Sequence, residues 1–141
     1  MNIDAIQNGI VLDHITAGKG MQLYDLLGLE KLDCSVAIIK NVVSKKQGRK
    51  DIIKIDEDIP VNFDVIGYVD PGVIVNVIRD GKLVEKRSID MPLLLTNVIF
   101  CKNPRCITTV EQELKHVFKL TDRENRIYRC AYCESRKSKY D

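Results

Sequence analysis

From Gly9 to Ile15 the chain reads Gly-Ile-Val-Leu-Asp-His-Ile, apolar and β-branched at first with polar groups arriving late, and predicts a strand. Met21, Leu23, Tyr24, Leu26 and Leu27 then recur at helical spacing. Gly28 stands where a left-handed C-terminal cap belongs, so the pattern predicts a helix over 18–28. Strands follow over 35–43 and 49–55, separated by a polar loop at 44–48, and a short second helix falls at 60–68. Val73–Ile78 and Lys82–Arg87 are two more strands, and the Asp80-Gly81 dipeptide between them is a strong hairpin signal. The order strand, helix, strand, strand, helix, strand, strand is that of a ferredoxin-like α+β sandwich with one added strand. Helices on one face of an antiparallel sheet would bury its core.

Strand character stops at Ser88–Pro92, which reads as a linker. It divides the chain into domains 1–92 and 93–141. Leu93–Phe100 is apolar and leads into the first of four cysteines, in a small β-rich domain whose tail from Ser135 reads as frayed. Charge agrees with the division. Residues 1–94 hold 12 Lys/Arg against 14 Asp/Glu, a net of −2, while residues 95–141 hold 10 against 6, a net of +4. Such a small surplus argues against a nucleic-acid footprint. No apolar run approaches the roughly 20 residues that span a bilayer, and Met1-Asn2-Ile3-Asp4 does not open a signal peptide. The expectation is a cytoplasmic protein with no membrane partner, in which clustered cysteines point to metal rather than disulfides.

The cysteine spacing is specific. Cys101-x4-Cys106 and Cys130-x2-Cys133 are separated by 23 residues, the pattern of two knuckles converging on one tetrahedral zinc ion. Four thiolates leave no position open to water, so one structural zinc per chain is predicted and not a catalytic one. Four unrelated cysteines, a redox Cys-x-x-Cys at Cys130 and Cys133, and an iron centre are the competing readings. Cys34 reads as a buried small apolar residue, and His116 as a solvated one.

Three polar groups interrupt the strands of the first domain: Asp13-His14, Lys50 with Lys54, and Asn76 with Lys86. Lys50 and Lys54 lie four apart, so a strand sends both to one face. Cations, a carboxylate and an amide are what a nucleoside triphosphate needs. By composition alone, however, lysines on a strand more commonly solvate a sheet face or guard an edge. There is no phosphate-cradling glycine loop, and no nucleophile–histidine arrangement indicates an enzyme.

Taken in order, Asp4-Ala5-Ile6, Gly9-x-Val11-x-Asp13-His14-Ile15, Gly48-Arg49-Lys50-Asp51-x-Ile53-Lys54-Ile55, Val75-Asn76-x-Ile78, Lys86 and the cysteine spacing resemble the regulatory chain of aspartate carbamoyltransferase, over essentially the whole sequence. The resemblance implies a non-catalytic chain in pyrimidine biosynthesis whose first domain binds CTP, ATP and, in some members, UTP. Asp13 and Lys54 would contact ribose and base, and His14 and Lys86 would face the triphosphate, with Asn76 beside it and Lys50 near the phosphates. Ile3, Asp4, Ala5 and Ile6 would offer backbone contacts to the base, with Ile78 and Gly81 in the same site. The zinc domain would dock onto catalytic chains, and regulatory chains would pair as homodimers, three dimers joining two catalytic trimers. Gly81 stands where familiar members carry a bulky residue, and Asp4 replaces a longer acid. The alternative from another class is a zinc-ribbon nucleic-acid-binding module using Lys102, Arg105, Lys115, Lys119 and the Arg136-Lys137-x-Lys139 tail.

Overall fold

The computed structural model describes residues 6–137. The chain forms two compact units, Met1–Asp90 and Met91–Asp141. In the first, strands β1 (Gly9–Thr16), β2 (Val36–Ser44), β3 (Gly48–Ile55), β4 (Ile74–Arg79) and β5 (Lys82–Ser88) make one sheet in the order β2-β3-β1-β4-β5. Each pairing is antiparallel. The first four strands have the ferredoxin-like order and β5 extends the β4 edge, as the strand and helix pattern predicts. Asp80 and Gly81 both take positive φ, 52° and 75°, the backbone a two-residue hairpin turn requires.

Alternation divides the sheet into a buried and an open face. Ile10, Leu12, Ile53, Ile55 and Val75 are buried. So are Leu23 of α1 (Gly20–Leu26) and Val65, Ile66, Tyr68 and Val69 of α2 (Phe63–Val69). The core therefore lies between the helices and one side of the sheet. α2 begins where the Asn62 side chain accepts from Asp64 N at 3.1 Å and Val65 N at 3.4 Å, a local N-cap.

α1 is shorter than the predicted 18–28, for two reasons. Gly18 has φ 96° and Gly28 φ 67°, so the chain turns at both ends. A single 3-10 turn at Leu29–Lys31 follows. The N-terminus of α1 has no side-chain cap of its own. The Asp51 carboxylate of β3 caps it instead, accepting from Gly18 N at 3.0 Å and Gly20 N at 2.9 Å. Cys34 is half-buried, not buried as expected.

The second unit is a four-stranded antiparallel sheet, β6 (Leu94–Thr96), β7 (Val117–Asp122), β8 (Ile127–Cys130) and β9 (Arg136–Lys137), in that order. Leu95, Phe118 and Tyr128 are its largest buried side chains. The Tyr128 hydroxyl donates to Pro92 O at 2.8 Å, which ties Pro92 to this unit. The frayed tail expected from Ser135 is corrected in part. Arg136 and Lys137 pair with Arg129 and Tyr128 of β8, because Ser135 O accepts from Cys130 N at 2.9 Å and holds the chain beside that strand. Among the described residues no helix is long and apolar enough to cross a membrane.

Gly20 leaves no room for a side chain: an added Cβ would stand 2.9 Å from Asp51 Oδ2 and 3.1 Å from Asp51 Cβ. Asp51 cannot yield without losing backbone donors. Gly20→Ala is therefore expected to destabilise the protein by about 1–3 kcal/mol, read by chemical denaturation.

Candidate metal centre and polar sheet face

In the second unit the sulfurs of Cys101, Cys106, Cys130 and Cys133 lie within 4.8 Å of one another. Cys101 Sγ is 3.6 Å from Cys133 Sγ, and Cys106 Sγ is 3.7 Å from Cys130 Sγ. Four thiolates at about 2.3 Å from a tetrahedral zinc ion stand about 3.8 Å apart, so the cluster fits one structural zinc and no fifth donor is needed. The first knuckle runs from the end of the β6–α3 connection into α3 (Ile107–Val110), and the second turns out of β8. When bound, the ion cross-links these two distant parts of the chain.

The surroundings of the thiols are unequal. Burial pushes Cys101 up to about 12 and also raises Cys130. Cys106 is lowered, chiefly by the hydroxyl of buried Thr108, 3.0 Å from its Sγ. Burial acts upward on Cys133 too, but hydrogen bonds from the Ser135 side chain and backbone, with those of the Asn103 and Cys101 side chains, together outweigh it and bring the group down to about 6. Ser135 Oγ lies 3.1 Å from Cys133 Sγ and accepts from Asn103 Nδ2 at 3.3 Å. Hydroxyls beside the sulfurs can offset thiolate charge at Cys106 and Cys133.

His116, expected to be solvated, is half-buried, and Cys101 N donates to its Nδ1 at 3.1 Å. Its own N–H donates to Asn97 Oδ1 at 2.9 Å, and Asn97 N returns a bond to His116 O at 2.8 Å. The imidazole thus holds the backbone of the first knuckle. No spacing signal in the sequence marks it; only the fold brings residue 116 beside residue 101.

The open face of the first unit carries the other candidate residues. Ala37 of β2 opposes Lys54 of β3, Lys54 opposes Val11 of β1, Val11 opposes Asn76 of β4, and Asn76 opposes Lys86 of β5. One row therefore crosses all five strands. Strands about 4.8 Å apart put the backbones of Lys54 and Lys86 about 14 Å apart along it. Above the row lies a pocket of about 400 Å³ lined by Ile6, Val11, Lys54, Asn76, Ile78, Gly81, Leu83 and Lys86. Among the described residues no carboxylate pairs with Lys54 or Lys86. Gly81 adds no side chain to the rim. Leu83 joins the lining without having been singled out in the sequence, and Val11 was quoted there only within a motif; alternation along β1, which puts Val11 on the face of Asp13, could have found it.

Asp13, His14 and Lys50 do not line that pocket. They form a second group further along the same sheet. β1 carries a bulge here, with Asp13 and His14 together opposing Ile52, and His14 takes φ 60°. A non-glycine residue in that region costs roughly 1–3 kcal/mol and persists only where its surroundings fix it. Lys50 Nζ lies 2.9 Å from Asp13 Oδ1, and the same oxygen accepts from His14 N at 2.6 Å. His14 Nδ1 is buried without a partner among the described residues. Burial pushes the Asp13 carboxyl up, but the Lys50 and His14 donors outweigh it and hold the group below its ordinary 3.8. Ile3, Asp4 and Ala5 lie outside the described residues.

A ferredoxin-like unit with a pocketed polar sheet face, followed by a β unit built on a closed four-thiolate centre, defines a two-domain, metal-stabilised chain. The family model for the aspartate carbamoyltransferase regulatory chain, allosteric domain, matches residues 1–90, and the model for its metal binding domain matches residues 94–141. Aspartate carbamoyltransferase regulatory chains of Clostridium botulinum, Clostridium tetani and Bifidobacterium longum are respectively 46%, 45% and 42% identical to it. Each comparison covers 95% of this chain, and 92%, 94% and 96% of the respective relatives. The chain belongs to the aspartate carbamoyltransferase regulatory chain family, whose members are regulatory and not catalytic.

Two outcomes are expected. His116→Ala should weaken zinc retention by roughly 10–100-fold, measured by competition with a chromogenic chelator, because the Cys101 backbone loses its acceptor. For Asp13, a lowered folded pKa means stability that is fully present above 3.8 and is lost as pH falls through the folded value. Lys50→Met should move that carboxyl back up and flatten the acid limb of stability against pH, followed by denaturation and by carboxyl NMR titration.

Proposed function

We propose that this regulatory chain controls aspartate carbamoyltransferase in pyrimidine biosynthesis by binding nucleotide effectors on the open sheet face of domain 1–92, while domain 93–141 docks onto the catalytic chains. The observation that carries the reading is the row Lys54–Val11–Asn76–Lys86 beneath a pocket of about 400 Å³, a volume in the range of small-ligand sites. Two lysines without carboxylate partners among the described residues supply the charge a triphosphate needs, and Asn76 supplies both a donor and an acceptor. CTP, ATP and UTP share the triphosphate and ribose, so Lys86, His14 and Lys50 contribute affinity common to all. Discrimination falls to the base, read by Lys54, Ile78, the Gly81 rim and the backbone of Ile3, Asp4, Ala5 and Ile6. Asp13 and Lys54 hold the ribose side.

Regulation of this kind requires differential affinity. A nucleotide shifts the enzyme only by as much as it prefers one quaternary state over the other, typically about 1–3 kcal/mol. The zinc-bound second domain supplies the rigid docking unit, and exposed Leu93, Leu94, Phe100, Ile107 and Val110 offer it apolar surface for a partner. Regulatory chains pair as dimers, three of which bridge two catalytic trimers, in the cytoplasm.

The direct test is calorimetric titration of the zinc-loaded chain with CTP and ATP, with GTP and single-stranded DNA as controls. Saturable CTP and ATP binding that compete for one site is the expected result. Salt-sensitive DNA binding without nucleotide binding would overturn it. Lys86→Ala should weaken CTP and ATP alike, by about tenfold for one lost charged contact, and leave assembly with catalytic chains intact. Cys130→Ser should abolish that assembly, seen by gel filtration, while nucleotide binding to the first domain persists.

A further inference from the structure

Asp51 is the one fully buried carboxylate on the core face of β3, at 0% exposure, and the effector reading above leaves it without a role. Its neighbour Lys50 stands on the other face of the same strand and pairs with Asp13. Both strands flanking β3 are bulged at this level. On β1, Asp13 and His14 oppose Ile52; on β2, Lys40 and Asn41 oppose Asp51. Each bulge contains a non-glycine residue at positive φ, His14 and Asn41, both at 60°. Two adjacent bulges remove ladder bonds from β3 on both sides, so something else must hold the strands in place.

The Asp51 carboxylate is what spans them. Oδ1 accepts from Asn41 N at 2.9 Å, within the β2 bulge. Oδ2 accepts from Gly18 N at 3.0 Å and Gly20 N at 2.9 Å, immediately after β1. The Arg49 guanidinium donates to Asn41 O at 3.3 Å, so Arg49 and Asp51 grip both sides of the β2 bulge. Thr16 N, two residues beyond His14, donates to Asp70 at 2.6 Å and anchors the remaining stretch of β1.

We infer that Asp51 is a positioning residue of the effector site: by bonding the β2 bulge through one oxygen and the β1–α1 corner through the other, it fixes the β1 bulge that aims His14 and keeps Asp13 within reach of Lys50. It touches no ligand. It acts on the Asp13–His14–Lys50 group, which the preceding reading assigns to the phosphate and ribose side, and on which this inference rests. The pocket row of Lys54, Asn76 and Lys86 is registered by other pairs and does not depend on it.

The test is Asp51→Asn in the full, zinc-loaded chain. The amide keeps the shape but replaces one acceptor oxygen with a donor, so one of the two grips is lost. Affinity for CTP is expected to fall by at least about tenfold, while affinity for cytidine, which keeps the ribose that Asp13 holds but lacks the phosphates, falls by clearly less. In the ligand-free variant the Asp13 carboxyl should titrate closer to its ordinary value. Equal losses for CTP and cytidine, or a folded variant with unchanged CTP affinity and unchanged Asp13 titration, would overturn the inference. Should the variant not fold, hydrogen exchange on the unaltered chain decides. CTP is expected to slow exchange of the Gly18, Gly20 and Asn41 amides, because binding suppresses local opening of the geometry it needs. Unchanged exchange at those three amides would sink the idea. If no nucleotide binds even the unaltered chain, the effector reading fails, and the Asp13 titration in Asp51→Asn still shows whether Asp51 controls the bulge.

Discussion

The pairing of β1 with β3 on one side and β4 on the other is the constraint on which the first unit depends. A strand has two faces, and a one-residue slip exchanges them. In the observed register Ile10 and Leu12 face the helices, while Val11 meets Lys54 and Asn76 on the open side. A slip would put lysine into the core and isoleucine into the pocket. The register is held on one side of the sheet by apolar burial, and at the far end of β1 by Asp51, which accepts from three backbone donors. Replacing water around a carboxylate requires such fixed donors, and burying it without them would be prohibitive.

The bulge in β1 follows from the same demand. Ile10 and Leu12 are two apart, but the next core residue, Ile15, is three further on. A regular strand cannot bury all three. One extra residue must be absorbed, and His14 is in the bulge with a strained backbone and an Nδ1 that has no partner among the described residues. Core packing and site geometry are thus two consequences of one irregularity.

The second unit solves a different problem. Its buried core is small, centred on Leu95, Phe118 and Tyr128, and domains of this size commonly rely on a metal or disulfides. Four thiolates converge from two knuckles, and the supporting groups come from elsewhere: Thr108 and Ser135 hydroxyls at the sulfurs, and the His116 ring at the Cys101 backbone. Metal-bound folding of this kind supplies stability that apolar burial alone does not.

Much of this was legible along the chain, because it depends on local rules. Strand alternation, the Asp80-Gly81 turn and the left-handed Gly28 just beyond α1 are short-range consequences of backbone sterics. The metal ligands were legible too, since two close cysteine pairs have few other uses, and the resemblance along the chain pointed to the regulatory family. His116 was misjudged, and Asp51 was noticed only as part of a motif, because both act through backbone groups far away in sequence. Their partners are chosen by how strands and loops come together, which no local pattern encodes. The row from Lys54 to Lys86 has the same origin. The sequence by itself determined which residues carry charge and which faces they occupy. Only the tertiary structure decided which of them stand side by side, since strand order and register arise from burying one face of the whole sheet at once.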